Sequence, residues 1–139
     1  MATNREKLPD LRSGKRITLR INRPKKICPH CKAELAPAKP LKLYVTINTY
    51  PDGRPGEMFI KIDNHESGLA LGALDAAAIA VSMALQNGVS FESLMAKWVG
   101  LKFEPAGATG NSEFPLVASM LDYVARWALV RYGKKEVTV

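Results

Sequence analysis

Cys28-Pro29-His30-Cys31 places two thiols two residues apart, the spacing at which both can enter the coordination sphere of one tetrahedral metal ion. Lys26 and Lys32 flank the pair and favour its ionised form. A closed structural site needs four ligands, and beyond these two cysteines the chain offers His30 and His65. His30 lies between the cysteines and is poorly placed to bend back. Cys28, Cys31 and, as a third candidate, His30 are therefore read as metal ligands for a zinc ion, with two chains able to complete a four-cysteine site. The same spacing occurs in thiol–disulfide relays, which usually sit at a helix N-terminus. Here Ala33-Glu34-Leu35-Ala36 runs into Pro37 and Pro40, leaving room for barely one turn. Metal binding leads, a redox relay follows, and a pair of inert thiols stays open.

The second chemical feature is charge. Residues 1–42 hold 12 of the 20 Lys/Arg and 3 of the 13 Asp/Glu, and the sequence pI is about 9.6. Arg20, Arg23, Lys25, Lys26 and Lys32 are the candidate contacts to a nucleic acid or another anion through counterion release. A solvated basic face is the equal alternative. No aromatic interleaves these charges along the chain, so base stacking and sequence readout are not expected. Gly107-Ala108-Thr109-Gly110-Asn111 lacks the Lys-Ser/Thr ending of a phosphate loop and reads as a structural turn. Glu57, Asp63, Glu66 and Asp75 form no evident acid/base pair and read as surface or capping groups.

These groups need a scaffold, and the hydrophobic pattern supplies one of α+β type. Residues 1–14 are polar and aperiodic and read as a flexible or loosely docked arm. Ile17, Leu19 and Ile21 alternate with Thr18, Arg20 and Asn22, predicting a first strand from Arg16. The proline-rich, basic stretch at about 23–40 then reads as an insertion carrying the Cys-x-x-Cys knuckle. Leu43, Val45 and Ile47 alternate again, Pro51 to Gly56 are dense in turn formers, and Met58 to Ile62 follow, which predicts two antiparallel strands.

Leu71, Leu74, Ala78, Val81 and Leu85 recur at helical spacing and Asn87-Gly88 ends the run, predicting a long buried helix over 69–86. Ser90 is a suitable N-cap for a short helix over Phe91 to Trp98. Pro115 is expected to open a third helix with Val117, Met120, Leu121, Val124 and Ala128 inward. The expectation is a small antiparallel sheet of about three strands packed against two longer helices and one short helix, with the knuckle between the first two strands. Residues 15–139 would form one domain, since 139 residues with 47% hydrophobic content suffice for a single core. With no leader pattern and no run read as a membrane span, a cytoplasmic protein without membrane contact is expected.

Tyr50-Pro51-Asp52-Gly53-Arg54-Pro55-Gly56-Glu57, Ser82-Met83-Ala84-Leu85-Gln86-Asn87-Gly88-Val89, Phe103-Glu104-Pro105, and Asp122-Tyr123 with Arg126-Trp127 occur in this order. Together they resemble the TSCPD-type domain of adenosylcobalamin-dependent, class II, ribonucleotide reductases, over about Leu43 to Tyr132. Leu8-Pro9-Asp10 resembles the segment leading into that domain. In that family a separate large barrel supplies the cobalamin site and the radical chemistry, so the resemblance implies no cobalamin site and no catalytic residue in this chain. It implies a non-catalytic accessory or detached domain of deoxyribonucleotide synthesis that binds a reductase catalytic chain. The family's activity is ribonucleoside-diphosphate reduction. The family's reducing cysteines follow the domain, whereas Cys28 and Cys31 precede its main body. Arg54 and Arg126 fall in the matching segments and become candidate contacts to a nucleotide or a partner carboxylate. The alternatives are a small basic zinc-knuckle protein that binds nucleic acid or protein, and a thiol redox relay. A homodimer is expected, because a domain without its barrel must cover an apolar face.

Overall fold

A computed structural model describes residues 5–23, 28–33, 39–63 and 68–133. The chain runs β1 (Ser13–Ile21), β2 (Leu41–Thr49), β3 (Pro55–Ile62), α1 (Gly68–Gln86), α2 (Phe91–Trp98), β4 (Gly107–Ala108), β5 (Leu116–Val117) and α3 (Met120–Tyr132). Strands β1, β2 and β3 form an antiparallel sheet in that order, and β4 pairs with β5 as a short separate ribbon. The expected α+β class, three-stranded sheet and three helices are all present.

The alternation seen in the sequence becomes two unlike sheet faces. Leu19 and Ile21 of β1, Leu41, Leu43, Val45 and Ile47 of β2, and Met58, Ile60 and Ile62 of β3 are buried on one side. They join Leu74, Ala78, Val81 and Leu85 of α1, Phe91 and Met95 of α2, and Tyr123, Val124, Trp127 and Ala128 of α3 in a single core. The opposite side carries Arg16, Thr18, Arg20, Lys42, Tyr44, Thr46, Phe59 and Lys61, as period-two alternation requires.

Strands β2 and β3 meet through a tight turn. The N–H of Tyr50 donates to Arg54 O and that of Gly53 to Tyr50 O, each at 2.8 Å. Gly53 has φ +91°, which a residue with a Cβ adopts only under strain. Helix α1 packs along β3, and Ser82 Oγ accepts from the N–H of Met58 at 2.9 Å, satisfying a backbone donor on the outer side of that edge strand. The helix ends where Asn87-Gly88 predicts. Gly88 N–H bonds Leu85 O and Val89 N–H bonds Ala84 O, the two closing bonds of a left-handed cap at Gly88, φ +89°. Ser90 caps α2 by accepting from Ser93 N–H.

Two expectations are corrected. Pro115 does not open the third helix: it precedes β5, and the helix starts at Met120 with Ser119 accepting from Asp122 N–H as the cap. The short β4–β5 ribbon intervenes, and strands of two residues leave no periodic trace. The reading that no stretch matches a membrane span also fails on composition. By length and composition alone α1 is apolar enough to cross a bilayer, an 18-residue stretch of it having mean hydropathy 1.8, because leucines and alanines surround the single acid Asp75. In the fold that helix lies on β3 with Leu74, Ala78, Val81, Leu85 and Gln86 buried.

Residues 5–12, the described part of the expected arm, run against the sheet and α1. Glu6 N–H bonds Gln86 O at 2.8 Å, the Tyr50 hydroxyl donates to Glu6 O at 2.7 Å, and Leu8 is buried. The Cβ position of Gly56 lies 2.7 Å from Leu8 Cδ2, so the segment packs where no side chain stands.

Candidate functional site

Cys28 and Cys31 stand in a tight turn of the β1–β2 connection. Lys32 N–H donates to Cys28 O at 2.9 Å and Cys28 N–H to Ala33 O at 3.0 Å, and Lys32 takes φ +56° to close the turn. The backbone N–H of Cys31, then that of His30, and the Cys31 thiol all favour a thiolate at Cys28 and hold it below the usual thiol range. Cys28 is half-buried, and Cys31 and His30 are exposed. Both cysteines are free thiols. Among the described residues no three potential ligands from His, Cys, Asp and Glu gather in one place. His65 lies outside the described residues.

The candidate anion contacts divide. Arg20 projects from β1 on the solvent side of the sheet, directly opposite Lys42. Arg23 follows the strand, Lys32 sits in the cysteine turn, and Lys25 and Lys26 lie outside the described residues. The register adds cations and aromatics that the linear sequence separates. The Arg16 guanidinium lies 4.9 Å from the centre of the Tyr44 ring, and Phe59 is 46% exposed on the same side.

The family-matching arginines are both engaged. Arg54 lies over the Tyr50 ring at 4.7 Å and is held by Asp52 at 2.6 Å and by both carboxylate oxygens of Glu6, at 2.8 and 3.1 Å. Its side-chain hydrogen bond to Arg54 lowers the Asp52 carboxyl below its usual range. Arg126 donates from Nε to Asp122 Oδ1 at 2.8 Å while its side chain stays nearly half exposed.

Asp122 is the organising group at that end. It is fully buried and accepts from Gly100 N–H at 2.7 Å and Ala118 N–H at 2.8 Å, tying the end of α2 to the start of α3. Burial pushes its carboxyl upward, but the N–H of Ala118, the Arg126 guanidinium and the N–H of Gly100 outweigh it and hold the pKa below the ordinary value of 3.8. A second buried acid, Glu57, departs from the surface role expected of it. It is 5% exposed and receives Arg12 Nη1 at 2.7 Å and Asn48 Nδ2 at 3.1 Å. The Arg12 partner is 45 residues away, so local patterning carries no sign of it. Asp63 accepts from the Tyr44 hydroxyl at 3.3 Å and Asp75 pairs with Lys61 at 2.7 Å. Gly107 to Asn111 serve as structure, as expected: Thr109 Oγ1 donates to Phe114 O at 2.6 Å and accepts from Asn111 N–H at 3.0 Å.

One broad surface is apolar. Leu69, Ile79 and Met83 of α1 are 84%, 57% and 55% exposed, and Gly72, Ala73, Ala76 and Ala80 lie between them on the outward side of the helix. These seven residues make a stripe along the helix with no polar side chain among them.

A vitamin B12-dependent ribonucleotide reductase of Rhodopirellula baltica is 42% identical over 84 residues, 60% of this chain and 8% of the relative. That of Streptantibioticus cattleyicolor is 43% identical over 83 residues, 60% of this chain and 14% of the relative. That of Bradyrhizobium diazoefficiens is 42% identical over 93 residues, 66% of this chain and 7% of the relative. The chain thus spans a small part of the length of the curated relatives it matches. No solved structure matches it. The sequence profile of the TSCPD domain matches residues 12–129, from Arg12, which pairs with Glu57, to the last turn of α3, and the chain belongs to the TSCPD domain family.

Proposed function

We propose that this domain serves deoxyribonucleotide synthesis as a non-catalytic module that docks on the catalytic part of a B12-dependent ribonucleotide reductase. The observation that carries the reading is the apolar outer stripe of α1, with Leu69, Ile79 and Met83 exposed around small residues. The relatives hold the matching segment within a much longer chain, so the same stripe is the natural seat for the remainder of such a protein. Small residues at Gly72, Ala76 and Ala80 let a partner element approach the helix backbone closely, and the three larger side chains anchor it.

The test is calorimetric titration of the 139-residue chain into a B12-dependent reductase from which the matching segment has been deleted. Binding in the micromolar range with a negative heat-capacity change is expected, lost when Ile79 and Met83 are both changed to Glu. A folded chain that gives no heat at 100-fold higher concentration, or binding untouched by the double change, refutes the docking role.

A second reading concerns the cysteine turn: Cys28 and Cys31 form half of a zinc site inserted between β1 and β2, completed by the same pair of a second copy. The donation of backbone N–H groups to the Cys28 sulfur supports it, since the same arrangement stabilises a metal-bound thiolate. Elemental analysis of protein purified without chelator, alongside its mass in solution, should give about half a zinc per chain in a dimer. A metal-free monomer that cycles reversibly between dithiol and disulfide would instead make the pair a redox relay.

A further inference from the structure

We infer that the solvent side of the β1–β2–β3 sheet is a binding platform for single-stranded nucleic acid. The sheet face meets the docking stripe along one edge, where Phe59 lines the same recess as Ile79 and Met83, but the inference does not depend on that reading. The register stacks four rows across the sheet's open face. Gly14, Asn48 and Glu57 make the first; Arg16, Thr46 and Phe59 the second; Thr18, Tyr44 and Lys61 the third; Arg20 and Lys42 the fourth. Glu57 in the first row is paired with Arg12 and Lys61 in the third with Asp75, which leaves Arg16, Arg20 and Lys42 as the cations of this face beside Tyr44 and Phe59.

Three observations point to an anionic, base-bearing ligand. Tyr44 and Phe59 occupy adjacent strands and adjacent rows, a diagonal relation that sets side chains roughly 7–8 Å apart on one face. Neighbouring bases of an extended strand can each use such a ring, and stacking on aromatic side chains is the common mode for unpaired bases. The Arg16 guanidinium lies over the Tyr44 ring, so a base arriving there stacks on the guanidinium plane or displaces it toward a neighbouring phosphate. Arg20 and Lys42 are directly opposite one another, with Asp63 sharing a recess with Lys42 on its other side, so an anion would be drawn to the Arg20 side of the pair. A duplex would present its phosphates and keep its bases stacked inside.

The test is fluorescence anisotropy of a labelled 15-nucleotide oligothymidylate titrated with the 139-residue chain, beside an oligouridylate and a blunt duplex of equal length. Binding to single strands should exceed binding to duplex at least 10-fold. Neutralising about three phosphates should weaken it about 20-fold between 50 and 200 mM salt. Phe59 is half-exposed, so Phe59→Ser should leave the fold intact and weaken binding at least 5-fold. Arg20→Glu with Lys42→Glu should abolish it, and Leu101→Ser, beyond the end of α2, should not change it. The ratio between the two oligonucleotides assigns the ligand to RNA or DNA. No anisotropy change at 100 μM protein in 50 mM salt overturns the inference. So does equal affinity for duplex, or full retention of binding by the Phe59 variant, because either result reduces the face to unspecific charge.

Discussion

Replacing Asp122 by Ala would remove the acceptor for two backbone N–H groups at once, those of Gly100 and Ala118, in a place where Asp122 itself has no solvent exposure. Each donor left buried and unpaired costs about 1–3 kcal/mol, and the two together about 4 kcal/mol. Arg126 is nearly half exposed and recovers its partner from water, adding about 0–1 kcal/mol. Against a total stability of about 5–15 kcal/mol, the urea midpoint should fall by about 2 M for a slope of about 2 kcal/mol per molar. Asn at this position keeps one acceptor and turns an amide donor toward the other N–H, so about half the loss is expected. Arg126→Ala leaves both backbone bonds and should cost under about 1 kcal/mol. Trp98 and Trp127 report the unfolding by fluorescence. The folded carboxyl lies below its ordinary value, so its contribution is present above pH 3.8 and is lost as pH falls through the lower folded value. The gap between the parent and Asp122→Asn should therefore close in acid. If Asp122→Ala and Arg126→Ala cost the same, or if the gap widens in acid, the carboxylate is not the tie between α2 and α3.

Gly56→Ala should destabilise by about 1–3 kcal/mol, because the new methyl meets Leu8 and Tyr50 at under 3 Å, and limited proteolysis should then cut within residues 5–12 before the rest of the domain. Ser82→Ala removes the partner of Met58 N–H and should cost about 1–2 kcal/mol in urea unfolding, while amide exchange at Met58 accelerates. Cys28 should be alkylated by iodoacetamide faster at pH 7.5 than the same peptide in urea, since the turn favours its thiolate; mass spectrometry of the labelled peptide reads the difference, and equal rates would show that the turn does not act on the sulfur.

The sheet and the first two helices were legible because their signals are local. Ile17, Leu19 and Ile21 alternate, Asp52-Gly53 turns the chain, and Ser90 and Gly88 bound helices with the expected hydrogen bonds. The landmarks from Tyr50 to Trp127 also carried the family. The rest is long-range. Glu57 looks like a surface acid until Arg12 arrives from the N-terminal segment, and Asp122 looks like an ordinary first-turn acid until Gly100 comes back from the end of α2. The aromatics missing along the basic stretch are supplied across it, since Tyr44 and Phe59 come from β2 and β3 while Arg16 and Arg20 come from β1. Such juxtapositions follow from register, which no single strand's pattern reveals.

The hydroxyl of Ser82 sets the terms on which this sheet can grow. By occupying the Met58 N–H it takes from β3 one of the bonds an incoming strand would use, and the helix that bears it stands where that strand would lie. Chain-to-chain extension is left to the β1 border, where Lys15, Arg16 and Arg20 repel an identical neighbour. With one border shut and the other charged against its own copy, the sheet has no edge from which to propagate into a fibre.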